Sequence, residues 1–237
     1  MSPDRPAVHM EILRADLGSC SGLTGTVVVI DVLRSFSTAA YAFAGGARAI
    51  YPVENETAAW QLLDRLPGAL TMGALGGGVP IHGFDLTNSP AKLAERDVRG
   101  RDIIHCTAAG ARALVSCRQA DAVFAASMMC ARATARQVLR LAPEQVTLVI
   151  TGTWWDRDGD EDRACADYIE ALLRGEAPDA APFVERVRQS DFGRRFTDPD
   201  SWELPAADLD YCAVADRVDF AMPVRLSDGN PMIEPVT

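Results

Sequence analysis

Residues 27–30 are Val-Val-Val-Ile, and a polar turn follows them directly. A short β-branched run of this kind is typical of a strand in a parallel sheet that helices cover on both faces. Residues 35–38 then open an Ala-rich segment, residues 39–44, that favours a helix. The sequence therefore predicts a strand that leads straight into a helix, which is the repeating unit of α/β proteins.

The turn between this strand and this helix carries an acid and a base, Asp31 and Arg34. Free backbone N–H groups at a helix N-terminus attract oxyanions, and an arginine adds a bidentate fork. Asp31 could hold a metal ion or attack a phosphorus atom. The alternative is purely structural: a Ser or Thr caps the helix, and Arg34 forms an ion pair with Asp31.

Strand and helix patterns alternate along the rest of the chain. The predicted strands cover residues 47–53, 68–72, 102–106, 122–125 and 145–151, and the predicted helices cover 56–66, 111–117, 131–141, 162–173 and 179–187. Ser89-Pro90 suits the start of a further helix, with Ser89 as its cap and Pro90 in its first turn. This alternation predicts an α/β fold with three layers, α/β/α, and a mainly parallel or mixed central sheet. We expect residues 1–237 to form a single α/β domain. Its less regular parts are expected to be a flexible N-terminus at 1–9, an irregular stretch at 188–205 and a last strand near the sheet edge at 218–224.

The charge balance and the cysteine pattern argue against several classes of protein. Asp and Glu number 33 against 23 Lys and Arg, a net charge of −10, which disfavours nucleic-acid binding. The six cysteines form no Cys-x-x-Cys pair, so we expect reduced thiols and no zinc site. No segment approaches the roughly 20 apolar residues of a membrane span. We therefore expect a cytoplasmic protein without a nucleic-acid or membrane partner.

Polar residues cluster where four of the predicted strands end. They are Asp31 with Arg34, Ser37 and Thr38; Asp85 with Asn88 and Ser89; Thr107; and the acidic run 156–162. Because the carboxyl ends of parallel strands share one edge of a sheet, we expect these side chains to meet there. Carboxylate oxygens are hard ligands that suit Mg²⁺. The alternative for the acidic run is a solvated loop whose last carboxylates stabilise the helix that follows.

Four motifs follow one another in a recognisable order. They are Asp31-Val32-Leu33-Arg34-Ser35-Phe36-Ser37-Thr38, Gly83-Phe84-Asp85-Leu86-Thr87-Asn88-Ser89-Pro90, Gly110-Ala111-Arg112-Ala113-Leu114, and Glu161-Asp162 followed by Cys165-Ala166. In this order, and over about residues 25–225, the chain resembles the 2-phosphosulfolactate phosphatase family. The resemblance implies a Mg²⁺-dependent phosphatase associated with coenzyme M biosynthesis, an α/β/α sandwich and a homodimer.

The resemblance also implies roles for individual residues. Asp31, Arg34 and Glu161 are expected to be catalytic, and Asp31, Asp85 and Asp162 are expected to bind Mg²⁺. A small anionic phosphorylated substrate is expected to contact Ser37, Thr38, Asn88, Ser89 and Gly110. An aspartyl-phosphate on Asp31 is the alternative to attack by a water molecule.

The chain departs from the family pattern in two places. Members usually carry a Gly-Glu-Arg-like segment where this chain has Gly73-Ala74-Leu75, and a Thr-Asn-Gly-Thr turn where it has Ala108-Ala109-Gly110-Ala111. Each lost charge-assisted hydrogen bond would weaken binding by about 1.5 to 3 kcal/mol, or about one to two decades in affinity. The second hypothesis is therefore a degenerate member that binds an anionic metabolite or a partner protein and catalyses nothing.

Overall fold

The computed structural model describes residues 9–14, 20–151 and 158–237. In that part of the chain the strands are β1 (His9–Arg14), β2 (Thr26–Ile30), β3 (Ala49–Val53), β4 (Leu70–Ala74), β5 (Leu86–Thr87), β6 (Asp102–Thr107), β7 (Ala122–Ala126), β8 (Gln145–Ile150), β9 (Met222–Ser227) and β10 (Asn230–Ile233). The α-helices are α1 (Ser35–Ala44), α2 (Glu56–Arg65), α3 (Pro90–Leu93), α4 (Gly110–Ser116), α5 (Ala131–Leu141), α6 (Asp160–Leu173), α7 (Ala181–Gln189), α8 (Asp191–Arg195) and α9 (Ala206–Cys212). No helix of the described residues is long and apolar enough to cross a membrane.

These strands form one sheet in the order β1-β8-β2-β7-β9-β10-β3-β6-β4-β5. The strands β1, β8, β2 and β7 run parallel to one another, and so do β3, β6, β4 and β5. The antiparallel strands β9 and β10 join the two parallel sets, so the sets run in opposite directions. Helices flank the sheet, which confirms the predicted α/β/α fold with a mixed, mainly parallel sheet.

The carboxyl ends of the two opposed sets nevertheless meet, at β2 and β6. Ser35, which begins α1 after β2, donates a hydrogen bond from Oγ to Oγ1 of Thr107, the last residue of β6, over 2.9 Å. Five strand pairings separate β2 from β6. At roughly 20–25° of twist per pairing, they rotate one set against the other by about 100–125°. Twist alone leaves strands five pairings apart about 24 Å from each other, so the contact of Ser35 with Thr107 shows that the sheet also curls.

The core is layered because successive residues of a strand face opposite sides of the sheet. Every residue of β2 is buried between β7 and β8. In the other half of the sheet, Ile50 and Ile103 belong to the large hydrophobic cluster. Their neighbours Tyr51 and Ile104 belong to a smaller cluster that includes the buried side of α2. Apolar side chains therefore cover both faces, as a central layer requires.

The predicted place of the last strand, residues 218–224 near the sheet edge, is wrong. β9 and β10 form a hairpin in the middle of the sheet, where β9 pairs with β7 and β10 pairs with β3. Asp228 and Gly229 between them have φ angles of 50° and 77°, the conformation of a two-residue hairpin turn that Asp-Gly favours. Because β9 is only partly buried, its apolar pattern is weak, and the Asp-Gly pair is the clearer signal.

Two other regions differ from the predicted organisation. Residues 1–8 lie outside the described residues, but His9, the last residue of the predicted flexible N-terminus, begins β1. The stretch 188–205, predicted to be irregular, contains the end of α7 and all of α8. Phe192 and Phe196 are buried there and pack edge to face, with 5.6 Å between their ring centroids. Aromatic packing thus orders a segment whose overall polarity favours a loop.

Candidate active site

A cavity opens where the carboxyl ends of β2, β4 and β6 come together. Its polar lining consists of Asp31, Arg34, Ser35, Asn88 and Thr107. Its apolar lining consists of Leu33, Ala74, Leu75, Ala108, Ala109 and Phe192. The 3₁₀ turn Gly76–Gly78 completes it. The cavity offers about 390 Å³ of empty space, part of it open solvent.

The Asp31 carboxylate lies between the first residues of two helices. Its Oδ1 accepts a hydrogen bond from the backbone N–H of Ser35 at 3.0 Å, and its Oδ2 accepts one from the N–H of Gly110 at 3.1 Å. The N-cap residue of α1 is Arg34, without a side-chain cap, and Asp31 accepts the first N–H of the helix, where the structural alternative places a Ser or Thr cap. A Cβ on Gly110 would lie 2.7 Å from Oδ2 of Asp31. Gly110 was predicted to contact substrate, whereas its observed contact fixes the carboxylate.

Arg34 is buried beside the cavity and forms an ion pair that the sequence did not predict. Its Nη1 donates to Oδ2 of Asp208 over 2.7 Å, and its Nη2 points to the carbonyl oxygen of Gly78 at 3.5 Å. Its guanidinium carbon lies 5.6 Å from the centroid of the Phe196 ring. A Cβ on Gly78 would come within 2.5 Å of Nη2. The glycine therefore leaves room for the guanidinium at the cavity.

Asp208 is the residue of this site that the sequence reasoning missed. It belongs to α9 and is fully buried. Its position in a helix could have identified it, because Asp208 shares the buried side of α9 with Leu209 and Cys212. A carboxylate on an apolar helix face needs partners, which indicates a buried polar network.

Ser89 and Pro90 confirm the predicted start of a helix. Ser89 caps α3, with Oγ accepting the N–H of Lys92 at 3.3 Å, and Pro90 occupies the first helical position. The same Oγ donates to Oδ1 of Asp208 over 2.8 Å. Ser89 stays a predicted substrate contact, and in the structure its hydroxyl is bonded to Asp208.

Asn88 lies in the polar lining and contacts a buried histidine. Its Oδ1 lies 3.4 Å from Nε2 of His105. Burial lowers the pKa of His105 to about 4, so the imidazole is neutral at pH 7 and carries a single N–H. Nδ1 has no hydrogen-bond partner among the described residues. The single proton is therefore best placed on Nε2, where it is donated to Asn88.

Asp162 supports the strand ends and does not lie in the cavity lining. Its Oδ1 accepts the N–H of Val32 at 2.7 Å, and its Oδ2 accepts the N–H of Thr151 at 3.0 Å. It thus ties the ends of β2 and β8 together. Glu161 is buried in the first turn of α6 and is likewise not among the described residues that line the cavity. The start of the acidic run, residues 156 and 157, lies outside the described residues.

The structure does not bring Asp85 to the cavity. Asp85 is exposed, and its Oδ2 accepts hydrogen bonds from the N–H and the hydroxyl of Thr71 at 2.8 and 2.9 Å. Asp85 precedes the short strand β5, whereas Asn88 follows it. At about 3.3 Å per residue, the two positions lie roughly 10 Å apart. Asn88 therefore reaches the carboxyl edge of the sheet and Asp85 does not.

The hydroxyls of Ser37 and Thr38 are bonded within their own segment. Ser37 Oγ donates to the carbonyl of Val32 over 2.7 Å, and Thr38 Oγ1 donates to the carbonyl of Arg34 over 2.9 Å. Both residues are fully buried. Their contacts stabilise the start of α1, and neither residue is in the cavity lining.

The described residues offer a single carboxylate in the cavity lining for a metal ion. No group of three or more His, Cys, Asp or Glu side chains in the described ranges is arranged to hold a metal ion. Mg²⁺ commonly uses one or two carboxylates and takes its other ligands from water and substrate phosphate. Asp31 fits that mode, because it brings a carboxylate, a hard oxygen ligand, to the cavity lining.

Comparisons with known proteins agree with the motif order. A sequence model of the 2-phosphosulpholactate phosphatase family matches residues 13–225. The probable 2-phosphosulfolactate phosphatase of Bacillus subtilis strain 168 is 33% identical over 210 residues, covering 88% of this chain and 91% of that protein. A protein of the same description from Carboxydothermus hydrogenoformans is 34% identical over 222 residues, covering 88% of this chain and 90% of that protein. The chain belongs to the 2-phosphosulfolactate phosphatase family.

Proposed function

We propose that this protein is a Mg²⁺-dependent phosphatase that hydrolyses a small anionic phosphomonoester. Family membership supports 2-phosphosulfolactate as the substrate, with sulfolactate and phosphate as products. The observation that carries the proposal is the Asp31 carboxylate, which is held at the cavity by N–H groups from the first residues of two helices. Two donors fix both oxygens of the carboxylate, so Asp31 is oriented before any ligand binds.

The residues of the polar lining have different roles in the proposed phosphoryl transfer. Arg34 supplies N–H groups in a fork that matches phosphoryl oxygens, where charge must be neutralised in the transition state. Asn88, with its amide oxygen bonded to His105, offers its NH₂ group to a further oxygen. A Mg²⁺ ion bound through Asp31 would add positive charge at the same oxygens. Glu161 stays the predicted base for a water nucleophile, and an aspartyl-phosphate on Asp31 stays the alternative.

The wider setting of the proposal follows from the family and from the composition of the chain. The resemblance supports coenzyme M biosynthesis as the pathway and a homodimer as the assembly. The acidic composition and the buried thiols suit a cytoplasmic protein.

A second candidate function is the binding of an anionic metabolite without turnover. The observation that favours it is the position of the residues that depart from the family pattern. Ala74, Leu75, Ala108 and Ala109 all line the cavity, so the missing side chains would have reached the substrate. Loss of these donors weakens the hold on the part of the substrate beyond the phosphate.

A phosphate-release assay with 2-phosphosulfolactate and with p-nitrophenyl phosphate, each in Mg²⁺ and in EDTA, separates these functions. We expect release of phosphate that requires Mg²⁺. A thermal-shift series with inorganic phosphate runs beside it, because a ligand of the folded state raises Tm whether or not it reacts. A raised Tm without turnover on either substrate would support the binding function and contradict the phosphatase.

A further inference from the structure

Asp208 accepts hydrogen bonds from three residues at the starts of two different helices. Its Oδ2 accepts Nη1 of Arg34 at 2.7 Å, and its Oδ1 accepts the Ser89 hydroxyl at 2.8 Å and the N–H of Ala91 at 3.0 Å. Asp208 itself is fully buried, and the Arg34 side chain is 4% exposed. The three donors come from the starts of α1 and α3, while the acceptor comes from α9. One carboxylate therefore joins three segments that are far apart in sequence.

We propose that Asp208 is the positioning residue of the phosphate-binding half of the cavity. The inference rests on the proposed function, since it assigns Arg34 to a phosphoryl group. A free arginine side chain samples many rotamers, and its planar fork recognises phosphate only when its orientation is fixed. Asp208 holds Nη1 and the Gly78 carbonyl accepts from Nη2, so the guanidinium is oriented at the cavity that Arg34 lines. Asp208 has no place in the cavity lining, so it acts through Arg34 and not on the substrate.

The same carboxylate also fixes the neighbouring Asn88. Ser89 follows Asn88 directly, and the hydrogen bond from Ser89 to Asp208 anchors the backbone at the end of β5. Asn88 thus has one restraint from His105 through its side chain and another from Asp208 through the chain. The positions of Arg34 and Asn88, which are 54 residues apart in sequence, therefore both depend on Asp208.

A purely structural ion pair predicts a different behaviour from a positioning residue. If Asp208 only neutralises Arg34, its removal leaves a cation that attracts phosphate more strongly while the fold loses stability. If Asp208 positions Arg34, its removal weakens phosphate binding, because the fork no longer meets the anion in register. The sign of the change in phosphate affinity therefore separates the two roles.

The test is the dissociation constant of inorganic phosphate, measured by calorimetry in Mg²⁺, for Asp208→Asn and Asp210→Asn. Asp210 is the matched control because it lies on α9 two residues later and pairs with Arg188 at the surface, where its side chain is 74% exposed. We expect Asp208→Asn to raise this constant at least tenfold and Asp210→Asn to change it less than twofold. Unchanged or tighter binding in Asp208→Asn would overturn the inference.

A second variant keeps the inference testable if Asp208→Asn does not fold. Ser89→Ala removes one donor to Asp208 without leaving a buried charge unpaired, and we expect it to weaken phosphate binding about threefold. With a phosphomonoester as substrate, KM should rise more than kcat falls. Phosphate binding does not require turnover. If the wild type shows no turnover, weaker phosphate binding in the variants would still support the role of Asp208 and would leave only the phosphatase contradicted. If the wild type shows turnover, unchanged phosphate binding in the variants would contradict only the role of Asp208.

Discussion

The polar and the apolar lining of the cavity differ in how their residues are held. Asp31 accepts a hydrogen bond from Gly110, and Arg34 pairs with Asp208, so each charged group has a fixed partner far away in sequence. In the apolar lining Leu75 is 46% exposed, and the alanines present only methyl groups. The proposed function thus places phosphoryl chemistry on the constrained side, where geometry matters most. It places recognition of the rest of the substrate on the side that single substitutions can reshape.

The largest expected effect is that of Asp31→Asn. An amide cannot supply the negative ligand or nucleophile, so we expect Mg²⁺-dependent turnover to fall on the order of 10³-fold. Phosphate release gives the rate, and circular dichroism checks that the variant is folded. The sequence predicts Asp31 and Asp85 alike as metal ligands, but the structure places Asp85 outside the cavity lining. Asp85→Asn should therefore stay within twofold of the wild-type rate, and equal losses in both variants would contradict the described site.

The next effect concerns the buried His105 behind the polar lining. Its pKa is lowered to about 4 in the folded protein, against about 6.5 in the unfolded chain. Between these values the unfolded state binds more protons than the folded state. The contribution of His105 to the free energy of unfolding is therefore fully present above pH 6.5 and is lost as the pH drops towards 4. The full loss is about 3 kcal/mol in the free energy of unfolding.

Urea unfolding at a series of pH values, compared between wild type and His105→Gln, isolates this contribution. The variant lacks the titrating group, so its stability should fall less between pH 7 and pH 4. Parallel curves for the two proteins would show that His105 titrates normally. In that case the restraint on Asn88 would not depend on a neutral imidazole.

Gly110→Ala tests whether the polar lining is held as tightly as its contacts indicate. The new methyl group would lie 2.7 Å from Oδ2 of Asp31 and 3.0 Å from the Phe36 ring. We expect the carboxylate to move and turnover to fall about 10- to 100-fold, the range that overpacking costs. Gly175→Ala is the control, because a Cβ there meets nothing within 4 Å although φ is +81°. That variant should lose stability but not activity.

Local patterns in the sequence predicted the local structure of the site. The β-branched run became the buried strand β2, and the helix after it begins at Ser35. The Ser89 cap and Pro90 were confirmed because a cap depends only on a few neighbouring residues. These features depend on short-range chemistry. The meeting of Asp31 with the Thr107–Gly110 turn was also predicted, but from the rule for parallel strands, whereas β2 and β6 belong to opposed sets that the curvature of the sheet brings together.

The features that the sequence did not predict depend on contacts between residues that are far apart in the chain. Asp208 meets Arg34 across 174 residues, and the hairpin of β9 and β10 enters the middle of the sheet from the C-terminal end of the chain. The three residues between Asp85 and Asn88 decide which of them reaches the cavity, and that depends on where the two-residue strand β5 begins and ends. Sequence reasoning places element boundaries less exactly than it places elements. A motif can therefore be recognised while the position of one of its residues relative to the cavity is not.

The smallest expected effect lies in the apolar lining, where Ala108→Thr combined with Ala109→Asn adds hydrogen-bonding groups. Ala111 is left unchanged because it is fully buried, and a threonine there would overpack the core. We expect KM for 2-phosphosulfolactate to fall about tenfold, the gain from one good hydrogen bond to an anion. KM for p-nitrophenyl phosphate, which has no second anionic group, should not change.

The exposed Ala177→Asn is the control for this double variant and should alter neither KM. An equal fall in KM for both substrates would mean that the new groups reach the phosphoryl oxygens. Both linings would then contact the phosphate. A fall confined to 2-phosphosulfolactate would instead locate its sulfonate or carboxylate beside residues 108 and 109. The alanines of this chain would then account for a weakened hold on the family substrate, while Asp31 and Arg34 keep the machinery for phosphoryl transfer.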